Sequence, residues 1–497
     1  MHPMEQAGLF DTMPELVPAC APGDVLGERY CREHSPQARR PHGITLTPDW
    51  LVERMLDQVQ GSGRFDTIVD PGAGSGRFTL AAARRFPQAR IVAVENHPEM
   101  LAILRRRVAD ENLAGRVQVV AQDFREATFE TAGRTLYLGN PPYVRHHDLS
   151  ESWKDWYGRS LSGLGVSGTR LAGLHAHFLV AAAARMRPGD ELCFVTSAEW
   201  LDNHYGGALR QLFARGGRVA LQAVGLWLAD AGEPVFADAL VSAVVLHLAG
   251  GDGSGLCRLG CITGADLQDS RQLAASALLE APRWSPLCRR DGLEDLGGRQ
   301  LGEFFHVTRG QVTGSNEVFV LPSDQDLLPQ TLTVAAVTRA RELIDGAVLS
   351  QSGVRGLKRV VNLPRDLERL PEPHRDAAEA FIAQAQRRGA HQGYVARSRR
   401  PWYAVDMRAP PAAFVSYMGR RPPVFVANPW GVSYLNIAHG LYPHEPIAPS
   451  ALERLLQHLN TATSVGSGRM YGGGLAKFEP GDISRLRVPA GWAEGLS

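Results

Sequence analysis

The sequence predicts an α/β protein whose first half is built on a mostly parallel sheet. Three observations predict it. From residue 65 to about residue 249, short apolar runs alternate with helix-periodic segments, which implies crossover units. Acidic residues stand where three successive strands end, Asp70, Glu95 and Asp123, and Asn140 stands at the end of the fourth. A glycine-rich turn follows the first of these strands and opens a helix. Apolar residues at 44% and charged residues at 21% exclude a disordered chain, and 6 cysteines are too few for a disulfide scaffold. The longest apolar runs, 178–184 and 239–249, fall short of the ~18–20 residues a spanning helix needs. The start, MHPMEQAGLF, lacks a basic region followed by an apolar stretch. No membrane partner is expected, and the expected compartment is the cytoplasm with reduced thiols.

Each element follows from its pattern. Residues 1–40 are Pro-rich and read as an N-terminal arm, with one helix near Leu26–Glu33. After Pro48, the residues Leu51, Val52, Met55, Leu56 and Val59 share one helical face. Strands are expected at 65–70, 90–95, 116–121, 135–139, 191–196, 218–224 and 241–248, seven in all. Helices are expected at 77–86, 98–112, 171–186 and 204–215. GGDGSG at 250–255 marks a break, and 251–300 reads as a linker region. From 301 to 497 the periodicity weakens and Pro, Gly and aromatics increase, which suits an α+β domain with long loops.

Charge is uneven along the chain. All but three of the 53 basic residues are arginine, as a GC-rich coding sequence would produce, so arginine alone marks nothing. Position is more informative. Between Gln351 and Arg421 stand 14 basic and 6 acidic side chains, a local +8 in a chain of net charge +1. That segment suits a phosphate-bearing partner. Within it, Arg397, Arg399 and Arg400 lie beside Trp402 and Tyr403. Tyr471, before three glycines, could bring backbone close to a phosphate.

The segment FDTIVDPGAGSGRFTL supplies Asp70, then Gly72, Ala73, Gly74 and Gly76. Glycines allow positive φ and a close backbone approach, and the helix N-terminus adds partial positive charge. No Gly-Lys-Ser/Thr follows, so this is not a P-loop. Asp70 beside the turn suits a cationic ligand group. Glu95 could accept from ribose hydroxyls. Asp123 could accept from an adenine amine, and Phe124 could cover the ring. At the end of the fourth strand come Asn140, Pro141, Pro142 and Tyr143. Two prolines stiffen the loop and remove donors. The Asn140 amide oxygen and the proline carbonyls remain as fixed acceptors beside a stacking ring. Such a loop suits a planar group bearing NH2. Cys257 and Cys261 have no second pair at zinc spacing, so no metal is expected.

On these residues the chain resembles the gamma-class, TaqI-like N6-adenine DNA methyltransferases, in the order cofactor motifs, Asn-Pro-Pro-Tyr, recognition domain. ITLTPDWL at 44–51 resembles their amino-terminal cofactor motif, with Thr47 at its core. Val235-Phe236 resembles the site of their second stacking aromatic. VTRGQVTGSNEVF at 307–319 and RMYGGGLAKFEPGDISRLRVP at 469–489 resemble elements of their recognition domain. The resemblance implies a Rossmann-like seven-stranded class I methyltransferase domain at 41–250 and a target-recognition domain at 301–497. It implies S-adenosylmethionine held by Thr47, Asp70, Gly72, Ala73, Gly74, Glu95, Asp123, Phe124 and Pro142. It implies Asn140, Pro141, Tyr143 and Phe236 around a flipped adenine, and duplex DNA as substrate, contacted by Arg397, Arg399, Arg400 and Tyr471. A restriction endonuclease, if present, would be a separate chain. Two alternatives remain open on the residues: a methyltransferase acting on an RNA base or a protein glutamine amide, and a non-catalytic specificity subunit.

Overall fold

The computed structural model describes residues 23–215, 221–229, 235–236, 242–251, 255–289, 299–471, 475–488 and 492. They divide near Leu293 into two compact units. The first carries nine strands: β1 (Thr67–Pro71), β2 (Arg90–Val94), β3 (Val117–Val120), β4 (Thr135–Gly139), β5 (Glu191–Ser197), β6 (Leu221–Ala229), β7 (Ala243–Gly250), β8 (Leu256–Thr263) and β9 (Asp266–Ala274). They form one sheet in the order β3-β2-β1-β4-β5-β7-β6-β8-β9. From β3 to β5 every pairing is parallel, and β7 runs antiparallel between β5 and β6. Strands β1 and β5 are buried along their whole length, so they read as near-continuous apolar runs.

The register does the functional work. Pro71 lies opposite Val94, and Val94 opposite Val120. Strands β1, β2, β3 and β4 therefore end side by side, about 4.8 Å apart. The residues just beyond those ends share one sheet edge. The helix Leu174–Ala183 is buried on every side.

Two sequence expectations need correction. The seven strands are all present, but the sheet has nine, because β8 and β9 pair with each other and β8 adds to β6. The segment 251–300 is thus no linker over its described residues. Trp284 is buried against Trp200, ring centroids 5.9 Å apart, and Asp202 accepts from Arg283 and Ser285. The second correction concerns the arm. Residues 1–22 lie outside the described residues. The helix Val25–Glu33 does form, but its cap Asp24 is only 1% exposed and accepts from the Ser75 hydroxyl of the glycine turn.

The second unit is α+β. Two four-stranded sheets and one three-stranded sheet pack with the helices Glu372–Arg387 and Pro449–Ala462. The two stretches singled out in its sequence meet through an ion pair between Arg309 and Glu479. Among the described residues, no helix is long and apolar enough to cross a membrane.

Candidate active site

The glycine turn after β1 follows from its backbone demands. Gly72, Gly74 and Gly76 have φ of 73°, 55° and 88°, values that side chains other than glycine rarely adopt. The backbone N–H groups of Gly72 and Ala73 donate to the Val94 carbonyl at 2.8 and 3.0 Å, which ties the turn to β2. A Cβ on Gly74 would meet nothing within 4 Å, so the turn faces open space there. One on Gly72 would stand 3.3 Å from Cδ of Pro142, so this turn and the proline loop touch.

Three carboxylates line that edge, each held differently. Asp70 Oδ2 accepts from the Thr79 hydroxyl at 2.6 Å, and Oδ1 is buried with no partner. A Cβ on Gly139 would lie 2.9 Å from that Oδ1, so glycine at the end of β4 makes its room. Burial pushes the Asp70 carboxyl up to about 7, against the lowering by Thr79 and with a small addition from Glu95. Glu95 accepts from Gly74 N–H at 2.7 Å, Asn96 N–H at 2.9 Å and His97 N–H at 2.7 Å. Burial raises its pKa and these hydrogen bonds oppose the rise. Asp123 accepts three times from Arg125: backbone N–H at 3.0 Å, Nε at 2.9 Å and Nη2 at 2.7 Å. A carboxylate offers about four acceptor positions. Asp123 and Glu95, with three accepted bonds each, have about one such position left. An unpartnered buried carboxylate oxygen, an open glycine cradle and two part-used acceptors suit a ligand with a cationic end and a nucleoside.

Phe124 departs from expectation. Its ring is 1% exposed and packed between Phe178, 5.3 Å away, and Phe129, 6.3 Å away. Phe178 is the ring that reaches the turn, with Cε1 3.5 Å from the place of a Gly72 Cβ.

At the end of β4, Asn140 Nδ2 donates to Thr47 Oγ1 at 3.0 Å. Asn140 Oδ1 is buried without a partner. Thr47, expected at the cofactor, thus directs its hydroxyl to the amide. Tyr143 Oη donates to the Val195 carbonyl at 3.4 Å, and burial raises its pKa. Phe236 lies edge-on to Tyr143, centroids 5.8 Å apart, although 93 residues separate them in sequence. His175 is also near Tyr143, at 6.3 Å, and meets Tyr205 Oη through Nε2 at 3.3 Å. Burial pulls the His175 pKa down to about 4, so the ring is neutral at pH 7.

The basic cluster of the second unit divides. Arg397 and Arg400 are exposed. Arg399 turns inward: Nη1 donates to the Thr313 carbonyl at 2.8 Å and Nη2 to that of Val312. Tyr394, on the same short helix as Arg397, is 82% exposed. Tyr471 ends a short strand, and its side chain lies outside the described residues.

Sequence reasoning missed Arg125, Phe178, His175 and Tyr205, as well as the Thr47–Asn140 contact. Arg125 stands two residues after Asp123 and was readable as a local pair. The others depend on contacts between distant segments, for which the sequence holds no signal.

Residues 292–495 match the model for the C-terminal domain of type II methyltransferase M.Eco57I, and residues 68–156 match a methyltransferase domain. The chain is 38% identical over 479 residues to type II methyltransferase M.XamI of Xanthomonas campestris pv. amaranthicola, covering 94% of this chain and 87% of that protein. It is 20% identical over 493 residues to type II methyltransferase M.AccI of Acinetobacter calcoaceticus, covering 92% and 87%. Among solved structures, the type IIL restriction-modification enzyme MmeI in complex with DNA shares the fold. Its TM-score is 0.52 at 12% identity, covering 90% of this chain and 64% of that one, so this chain spans less than two thirds of it. With its glycine turn, its carboxylate-lined sheet edge and this degree of identity, the chain belongs to the type II methyltransferases of restriction–modification systems, for which S-adenosylmethionine is the methyl donor.

Proposed function

We propose that this protein transfers the methyl group of S-adenosylmethionine to N6 of a flipped-out adenine in duplex DNA, as the modification enzyme of its system. One observation carries the reading. Asn140 Oδ1 is a buried acceptor without a partner, next to the Tyr143–Phe236 pair and on a loop that touches the cofactor turn. A buried acceptor left unpaired costs about 1–3 kcal/mol. An incoming amine hydrogen would relieve that cost.

An adenine inside a duplex cannot reach so deep, so the base leaves the stack at a cost of a few kcal/mol. Its exocyclic nitrogen is a weak nucleophile because the lone pair is conjugated with the ring. Asn140 Oδ1 and the Pro141 carbonyl each accept one of its hydrogens. The nitrogen then moves toward tetrahedral geometry and its lone pair is freed for in-line attack. When bound, S-adenosylmethionine supplies a methyl group activated on a sulfonium. Tyr143 and Phe236 hold the base, and stacking of this kind is worth about 1–3 kcal/mol per base. No general base is assigned: the neutral amine gains the methyl as the S–CH3 bond breaks, the thioether leaves with that electron pair, and the surplus N6 proton passes to water after transfer. The test is nucleoside analysis of DNA methylated by the purified enzyme. N6-methyladenine is expected. N4-methylcytosine alone, or no modified base, rejects the reading.

Asp70 carries a pH prediction. Its folded pKa of about 7 lies above its ordinary 3.8, so the folded protein holds the extra proton between those values. Without cofactor, stability falls as pH rises from about 4 to about 7. A cationic cofactor end beside Asp70 favours the ionised form. Cofactor affinity therefore increases as pH rises through about 7. In Asp70→Asn that increase disappears and affinity at pH 8 is weaker. Titration calorimetry at pH 6 and pH 8 checks both. An unchanged pH dependence in the variant removes Asp70 from the site.

For DNA, the exposed pair Arg397 and Arg400 forms the proposed contact, and Arg399 supports the 312–313 loop. Replacing Arg397 and Arg400 with alanine weakens binding to all sequences. It lowers the slope of log affinity against log salt by about 0.9 for each phosphate that is no longer neutralised. Cofactor affinity is unaffected. A wild-type slope in the double variant moves the DNA surface elsewhere.

A further inference from the structure

Asn140 is an asymmetric group. One end of its amide accepts hydrogen bonds and the other donates, and only the accepting end can serve a target amine. The torsion that decides which end faces the target is soft and roughly two-fold, so the side chain alone does not choose. Something must hold it, and the structure contains that contact. Asn140 Nδ2 donates to Thr47 Oγ1 at 3.0 Å, and Oδ1 is left buried and unpartnered.

Thr47 is itself firmly held. It is 3% exposed, and its carbonyl accepts from Arg77 Nη1 at 2.8 Å. Arg77 is the first residue of the helix after the glycine turn, and its Nε donates to Asp24 Oδ2 at 2.7 Å. The same oxygen of Asp24 accepts from the Ser75 hydroxyl at 2.7 Å, and Asp24 Oδ1 pairs with Arg107 at 3.0 Å. Asp24 thus closes a chain of bonds from the first described helix, through the cofactor turn, to the amide.

We infer that Thr47 is a positioning residue for the methyl-transfer step: its hydroxyl accepts from Asn140 Nδ2 while Oδ1 accepts from the target amine, so the amide is paired at both ends only with Oδ1 turned to the target. The inference rests on the adenine reading above. It gives Thr47 a part on the acceptor side of the reaction. Without this contact Nδ2 would lie buried and unpaired, and the amide would turn in search of an acceptor. A donor facing an amine hydrogen cannot assist the reaction.

Thr47→Val keeps the shape and loses the acceptor. Thr47→Ser keeps the acceptor and loses a methyl group. In single-turnover methylation of a DNA the wild type modifies, Thr47→Val should slow the chemical step about ten- to hundredfold, the scale of loss from a misplaced reacting group. Its cofactor affinity by calorimetry and its DNA affinity should stay within about twofold. Thr47→Ser should recover to within about threefold of wild type. Thr47→Ala makes no demand on packing volume and carries the same expectation as Thr47→Val. A wild-type rate in Thr47→Val or Thr47→Ala overturns the inference. So does a loss confined to cofactor affinity, or a Thr47→Ser enzyme as slow as Thr47→Val, which would mark a packing role. If the wild-type enzyme forms no N6-methyladenine, the adenine reading itself fails, a result separable from every Thr47 outcome.

Discussion

Asn140→Ala loses turnover by about 10²–10³-fold, the effect of removing one preorganised polar group from a reacting centre. The variant should bind cofactor as the wild type does, because the cofactor turn is held by bonds that do not involve Asn140: Gly72 and Ala73 to Val94, and Gly74 to Glu95. It should also bind DNA, since the bulk of that affinity comes from phosphate contacts. Turnover is measured by transfer of tritiated methyl to DNA under single-turnover conditions, and affinity by calorimetry. Undiminished turnover would falsify the role of Asn140. A joint collapse of turnover and cofactor affinity would instead show that the loop had lost its shape.

Asp123→Ala has the largest expected effect on stability. The Arg125 side chain is only 5% exposed, and both its Nε and Nη2 bonds go to Asp123. Its guanidinium lies 3.3 Å from the centroid of the Trp153 ring, and Nη1 has no partner. Removing Asp123 leaves a buried, unpaired charge, which costs about 3–5 kcal/mol. The midpoint of urea unfolding should fall accordingly. Cofactor affinity should fall as well, by about 0.5–1.5 kcal/mol for the missing acceptor. The two effects can be separated. Adding Arg125→Leu removes the stranded charge, so the double variant should regain most of the stability and none of the cofactor affinity. If it regains both, Asp123 serves the fold and not the ligand. Stability of Asp123→Ala equal to wild type would mean that Arg125 finds water or another acceptor on its own.

How much of the site was legible follows from where each piece of information sits. Asp70, Glu95, Asp123 and Asn140 each lie within three residues of a strand's end, and parallel strands place their ends along one edge. Local pattern plus that topological rule was enough to gather four residues spread over 70 positions. The positive-φ glycines were legible for the same reason, since a tight turn between a strand and a helix demands them locally. The Asn-Pro-Pro-Tyr loop needs nothing beyond its own residues to stiffen.

What sequence by itself determined, then, was the α/β class, the sheet edge along which Asp70, Glu95, Asp123 and Asn140 gather, and the stiff proline loop that follows β4. Tertiary structure decided the partners. Thr47 reaches Asn140 across 93 residues, and Phe236 reaches Tyr143 across a similar span. Phe178 rather than Phe124 meets the glycine turn, because the helix Leu174–Ala183, about a hundred residues on in the chain, brings its ring there. Strands β8 and β9 join the first sheet although a glycine-rich break precedes them, because the open edge of β6 offers unpaired backbone groups to a neighbouring strand. Arg399 turns inward while Arg397 and Arg400 face solvent, a difference no count of charges contains. The physical reason is common to all of these. Periodicity and turn chemistry act within a few residues, whereas a side chain's partner is set by rotamer and packing between segments distant in the chain.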